Sequence, residues 1–221
     1  MRDAYREHLD DILADLVQMS QNVSTAVRSS TTALLEADIH LAEQVISDDE
    51  LLDAKQADIE HRAFSLLARE SPVAGELRTI VATLRMVTEL ERMGDLAAHV
   101  AKIARLRYPE SAVPESLRPS FIRMGDVAEK MVVTAGQTLN DRNIQTAQEL
   151  RARDEEMDEL RRTQFRVLLS GEWPYGVEAA VDVALLGRYY ERIADHAASM
   201  GRRIIYVVTG EFPKSQFWPQ P

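Results

Sequence analysis

With 221 residues, 26 basic and 36 acidic side chains and a formal net charge of -10, the chain lacks the clustered positive charge that phosphate backbones require, which excludes general nucleic-acid binding. It contains no cysteine, so disulfides, thiolate catalysis and thiolate metal sites are excluded too. Sparse Gly and Pro beside abundant Ala, Leu, Glu, Arg and Met predict an all-α protein long enough to bury a sizeable core.

The first residues, Met1-Arg2-Asp3-Ala4-Tyr5-Arg6-Glu7, lack the apolar core of a signal peptide. Leu9, Ile12, Leu13, Leu16, Met19, Val23 and Val27 then recur at helical spacing and predict a first amphipathic helix. A second helix is predicted from near Asp38 to Leu67, with Ile39, Ala42, Val45, Ile46 and Leu52 inward. Ser71-Pro72 interrupts it, because proline disfavours a helical residue before it. The third helix runs from about Gly75 to Tyr108 with Leu77, Ile80, Val81, Leu84 and Val87 as its stripe. Pro109 to Pro114 reads as a linker. Beyond it the scheme restarts: helices near Glu115–Leu139 and Asn143–Leu169, a loop at Gly171–Gly176, and a last helix to Thr209 capped by Gly210. Ile204–Val208, an apolar run near the end, is too short to span a bilayer, and a soluble cytoplasmic protein is expected. Residues 1–109 and 115–210 therefore read as two repeated antiparallel three-helix bundles, followed by an irregular tail, 211–221, whose Phe212, Phe217 and Trp218 are expected to pack back on their own bundle or stay disordered rather than dock on a partner.

The two halves carry the same acids. Glu91-Arg-Met-Gly-Asp95 and Glu191-Arg-Ile-Ala-Asp195 match at a shift of 100; Asp49/Asp53 and Asp154/Asp158 match at 105. Each pair is spaced four residues apart, which puts both carboxylates on one helix face. Asp is a poor helix-interior residue, and like charges at close quarters raise one another's pKa unless cations intervene. Sulfur-free carboxylate clusters suit hard cations such as magnesium, calcium, manganese or ferric iron. The alternative is pairing with Arg28, Arg62, Arg85 or Arg188, or a solvated face. A di-iron oxidase needs Glu-x-x-His pairs on two helices. Asp58/His61, Asp95/His99 and the adjacent Asp195-His196 do not supply them, so these histidines read as surface or interface residues. No phosphate loop, nucleophile elbow or His-Glu-x-x-His occurs, and Met19, Met86, Met93 and Met131 read as core filler. A carboxylate-metal hydrolase or oxidase stays open as an alternative on these residues alone.

The ordered set Tyr5, Leu9, Leu13, Leu16 and Met19; Asp49/Asp53; Pro72 with Glu76-Leu77-Arg78; the two Glu-Arg-x-x-Asp motifs; and Ile205-Tyr206 with Gly210-Glu211 resembles the PhoU family over almost the whole chain. The resemblance implies six long helices in two bundles related by a pseudo-twofold axis. It also implies metal ions, iron or zinc besides the magnesium that oxygen ligands favour, on Asp49, Asp53, Glu91, Asp95, Asp154, Asp158, Glu191 and Asp195. It implies a non-enzymatic negative regulator of phosphate uptake and phosphate-starvation transcription, forming a homodimer or larger assembly. Its partners would be the ATPase subunit of the phosphate ABC transporter and a phosphate-sensing histidine kinase. The two copies differ where Gly94 and Leu96 become Ala194 and His196, so the two sites are expected to differ in metal affinity.

Overall fold

The structure is a computed structural model that describes residues 2–211 and Pro213; Phe212, Phe217 and Trp218 lie outside the described residues. Six long helices account for the fold: α1 (Arg2–Glu36), α2 (Ile39–Glu70), α3 (Ala74–Arg107), α4 (Arg118–Asp141), α5 (Ile144–Leu168) and α6 (Gly176–Thr209), with a short 3-10 turn at Glu115–Leu117. The chain is all-α, as its composition predicts, and no strand occurs among the described residues.

The helix ends follow local chemistry. Asp38 starts α2 by accepting a hydrogen bond from the Leu41 N–H, and Asn143 starts α5 in the same way through Gln145 and Thr146. Gly210 closes α6 in the left-handed region, φ 80, and its N–H donates to the Tyr206 carbonyl. The predicted stripe of α3 divides in two. Ile80 and Val87 enter the core, whereas Leu77 and Val81 remain exposed on the outward face. At 3.6 residues per turn the five span an arc of about 120°, with Ile80 and Val87 on its inner edge and Leu77 and Val81 on its outer edge. The 109–114 connection also differs from a bare linker, because Ala112 and Val113 are buried against the helices.

Helices α1, α2 and α3 pack together, as do α4, α5 and α6; the two groups meet side by side through α1 against α4 and α3 against α6. One hydrophobic core runs through both groups, with Ile12, Leu16, Met19, Met86 and Met93 from the first and Phe121, Met131, Met157 and Tyr190 from the second. The contact of α1 with α4 preserves the duplication. Ser20 lies against Gly136 and Thr31 against Gly125, where an added Cβ would stand 2.5 Å from the Thr31 Cγ2. A shift of 105 carries Ser20 onto position 125 and Thr31 onto position 136, so each contact is the pseudo-twofold image of the other. Tyr190, fully buried, seals the junction through a 2.8 Å hydrogen bond with the Thr31 hydroxyl.

Along the opposite side, the contacts place the helices in the order α2, α3, α6, α5, with α3 and α6 adjacent at the middle. This face carries both sets of carboxylates.

Candidate functional site

The acidic pairs of each half lie on adjacent helices, α2 beside α3 and α5 beside α6. Gly94 is the reason α2 can approach α3 so closely: a Cβ there would meet Leu52 Cδ1 at 2.5 Å and Asp49 Oδ1 at 3.5 Å. Asp49 therefore stands half-buried against the backbone of α3, near Asp95, Asp53 and Glu91. Burial, then the charges of Asp95 and Asp53, push the Asp49 carboxyl up to about 6, against a partial offset from Lys102 and His99. Burial with Asp95 and Asp53 raises Glu91 as well. In the second half burial, Asp195 and Asp158 push Asp154 up to about 7. Among the described residues, no three His, Asp or Glu side chains stand close enough to grip an ion as they are placed. The carboxylates converge by field rather than by contact.

The copies differ in how they handle this charge. In the second half Arg161 of α5 and Arg188 of α6 both pair with Glu191, the latter at 2.5 Å. Arg161 also lies 5.0 Å from the centre of the Phe165 ring. The equivalent positions in the first half are Gln56 and Thr88. Of the arginines weighed from sequence, Arg188 joins an acidic motif, while Arg28 pairs with Glu129 and Arg62 with Asp15 and Asp58. An oxygen-only donor set with raised carboxyls fits a hard cation in the first cluster. The second cluster is already part-neutralised by guanidinium groups. Arg161 was hidden in the sequence because its image, Gln56, carries no charge.

A native carboxyl that keeps its proton to about pH 7 while the unfolded one releases it near 3.8 makes the fold bind more protons over that window, so stability falls as pH rises through it. Asp154→Asn is expected to raise unfolding free energy at pH 8 by about 1 kcal/mol after screening, and to change it little at pH 4. Urea melts of chelator-treated protein at the two pH values measure this.

A second charged group joins the halves. Glu89 of α3 accepts hydrogen bonds from His196 Nδ1 (2.7 Å), Ser199 Oγ (2.9 Å) and Arg203 (3.0 Å), all on α6. Serine and histidine both bond the carboxylate rather than each other, so the group is a clamp between helices and not a nucleophile with its base. Its pseudo-twofold image is an aromatic contact: His99 and Tyr189, images of Ser199 and Glu89, have ring centres 5.4 Å apart. The remaining predicted histidine, His61, is exposed on α2.

A duplicated six-helix bundle with paired carboxylates on adjacent helices defines the class of helical scaffold to which this chain belongs. The PhoU domain model matches this chain twice, over residues 16–104 and 121–204. The chain is 46% identical over 219 residues to the phosphate-specific transport system accessory protein PhoU homolog 1 of Mycobacterium leprae, covering 99% of each chain. It is 47% identical to homolog 2 of Mycobacterium tuberculosis, covering 96% of this chain and 100% of that one. The crystal structure of PhoU from Pseudomonas aeruginosa superposes with a TM-score of 0.88 at 29% identity, over 94% of this chain and 100% of that chain. A Streptococcus pneumoniae phosphate transport system regulatory protein PhoU, at 23% identity and TM-score 0.85 over 95% of this chain and 99% of that one, shares the fold. This chain belongs to the PhoU family.

Proposed function

We propose that this protein is a negative regulator of phosphate uptake and phosphate-starvation signalling, working in the cytoplasm as an adaptor between the ATPase subunit of a phosphate ABC transporter and a phosphate-sensing histidine kinase. The observation that carries the reading is the full-length match, at 46–47% identity, to proteins named as accessory to phosphate-specific transport. The absence of a membrane-crossing helix among the described residues and a broad charged face suit a protein that acts by binding. Self-association as a homodimer belongs to the same reading. Deleting the gene is expected to derepress phosphate-responsive genes in phosphate-rich medium, read by transcript levels. Unchanged expression, in cells without a second copy, would rule the reading out.

The acidic clusters enter this function as cation sites. Asp49, Asp53, Glu91 and Asp95 form the first; Asp154, Asp158, Glu191 and Asp195 form a second, weakened by Arg161 and Arg188. Iron, zinc or magnesium would serve to neutralise the carboxylates and fix α2 against α3. Elemental analysis after dialysis is expected to show metal lost in the alanine variant of the first four residues. Arg161→Gln with Arg188→Thr, which installs the first-half residues, is expected to raise cation uptake by the second cluster. Equal metal in all three proteins would remove the proposed sites.

A further inference from the structure

Each half exposes an apolar strip that leads into its carboxylates along one line of one helix. On α3, Leu77 and Val81 are 41% and 39% exposed; on α6, Val177 and Val181 are 80% and 51% exposed. A shift of 100 carries the first pair onto the second, so the exposure repeats with the duplication. From Leu77 the spacing continues through Leu84 and Thr88 to Glu91 and Asp95; from Val177 it continues through Leu185 and Arg188 to Glu191 and Asp195. Steps of three and four keep each series on one helix side over about 27 Å. A neighbouring helix widens each apolar end. The antiparallel register that sets Asp49 beside Gly94 brings exposed Phe64 of α2 level with Val81, and the register that sets Gln164 against Gly187 brings exposed Leu169, at the end of α5, level with Val181.

Scattered exposed apolar residues are ordinary. A strip that recurs at matching positions of both repeats, each time ending in acids, is a patterned surface. We propose that the face formed by α2, α3, α6 and α5 docks a protein partner through two helices, each apolar at one end and basic at the other, related by an approximate twofold axis. Charge selects this occupant. The chain carries a net charge of -10, and the four acids of the first cluster would remain anionic even around one divalent ion, so a second copy of the same face is repelled and a basic helix attracted. Apolar anchors at helical spacing in a groove are the usual means by which one helix reads another. The inference rests on the adaptor reading and names the chemistry of what is adapted.

The test uses the full chain and a synthetic amphipathic peptide of about 18 residues, the length that covers the strip, with leucines then lysines on one stripe. Its control is a scrambled peptide of the same composition. Titration calorimetry is expected to give two peptides bound per chain, the one on α2 and α3 roughly tenfold or more tighter than the scrambled one, a difference of about 1.4 kcal/mol, and the one on α5 and α6 weaker, because Arg161 and Arg188 already pair with Glu191. Val177→Asp with Val181→Asp should remove one site, and Leu77→Asp with Val81→Asp the other, with thermal melts confirming that these surface variants fold. Equal binding of the scrambled peptide, or unchanged stoichiometry in both variants, overturns the proposal. So does wild-type self-association, or anionic-vesicle binding that displaces the peptide, when the same variants abolish it. If two peptides bind but gene deletion leaves expression unchanged, the docking face stands and the adaptor reading falls. If deletion derepresses while both strip variants repress fully in cells, the docking face falls alone.

Discussion

Glu89→Ala is expected to cost about 2–3 kcal/mol of unfolding free energy. The Glu89 side chain is only 13% exposed. Burial pushes it up, yet the hydrogen bonds from His196, Ser199 and Arg203 hold it down to about 2, against an ordinary 4.5. Removing it leaves three donors on α6 without their acceptor and severs one of the polar ties between α3 and α6, leaving that of Arg107 with Asp182. Because the native pKa is depressed, this contribution is present above pH 4.5 and disappears as pH falls from there toward 2. Wild type and variant should therefore differ in urea midpoint at pH 7 and converge near pH 2. A constant difference across that range would mean that Glu89 acts by packing alone. The direction is opposite to that at Asp154, so acid weakens the junction while relieving the clusters.

The second large effect is expected where α1 crosses α4. Gly136→Ser should destabilise by about 1–3 kcal/mol, since overpacking a filled contact forces side chains and backbone apart, and Ser20 already occupies the space a Cβ would need. Ser20→Gly leaves a gap and costs helix propensity, about 1 kcal/mol. The double variant exchanges the two residues across the contact and is expected to recover most of the loss. A double-mutant cycle by chemical denaturation reads the coupling directly. Additive losses would show that the two backbones do not meet there.

The helices were readable because their signals are local. Ser71-Pro72 as a break and Gly210 as a stop act through neighbours in sequence, and the starts read near Asp38 and Asn143 fall where those side chains cap α2 and α5 in the structure. The acidic pairs were readable because four-residue spacing and duplication both survive in the linear text. The side-by-side arrangement was not fixed, because the α1–α4 and α3–α6 contacts join residues about a hundred positions apart. Glu89 could not be distinguished from its neighbour Glu91: two residues away on a helix, it faces α6 rather than α2. Comparing the copies offered one clue, since position 189 holds Tyr where 89 holds Glu. The outward placement of Leu77 and Val81 was likewise beyond an apolar count, which registers hydrophobicity and not what lies opposite.

The paired contacts Ser20–Gly136 and Thr31–Gly125 have a consequence for descent. A chain of half this length, carrying α1, α2 and α3 alone, would leave one flank of α1 and one flank of α3 without cover. A second identical chain would supply that cover by rotation about a single axis, with every touching pair occurring twice. The present molecule keeps that geometry in one polypeptide and has since let its two members diverge: hydroxyl and glycine exchange sides, Glu89 answers Tyr189, and arginines sit where glutamine and threonine stand opposite. Fusion freed each former subunit from having to match its twin, and the unequal acidic clusters record that freedom.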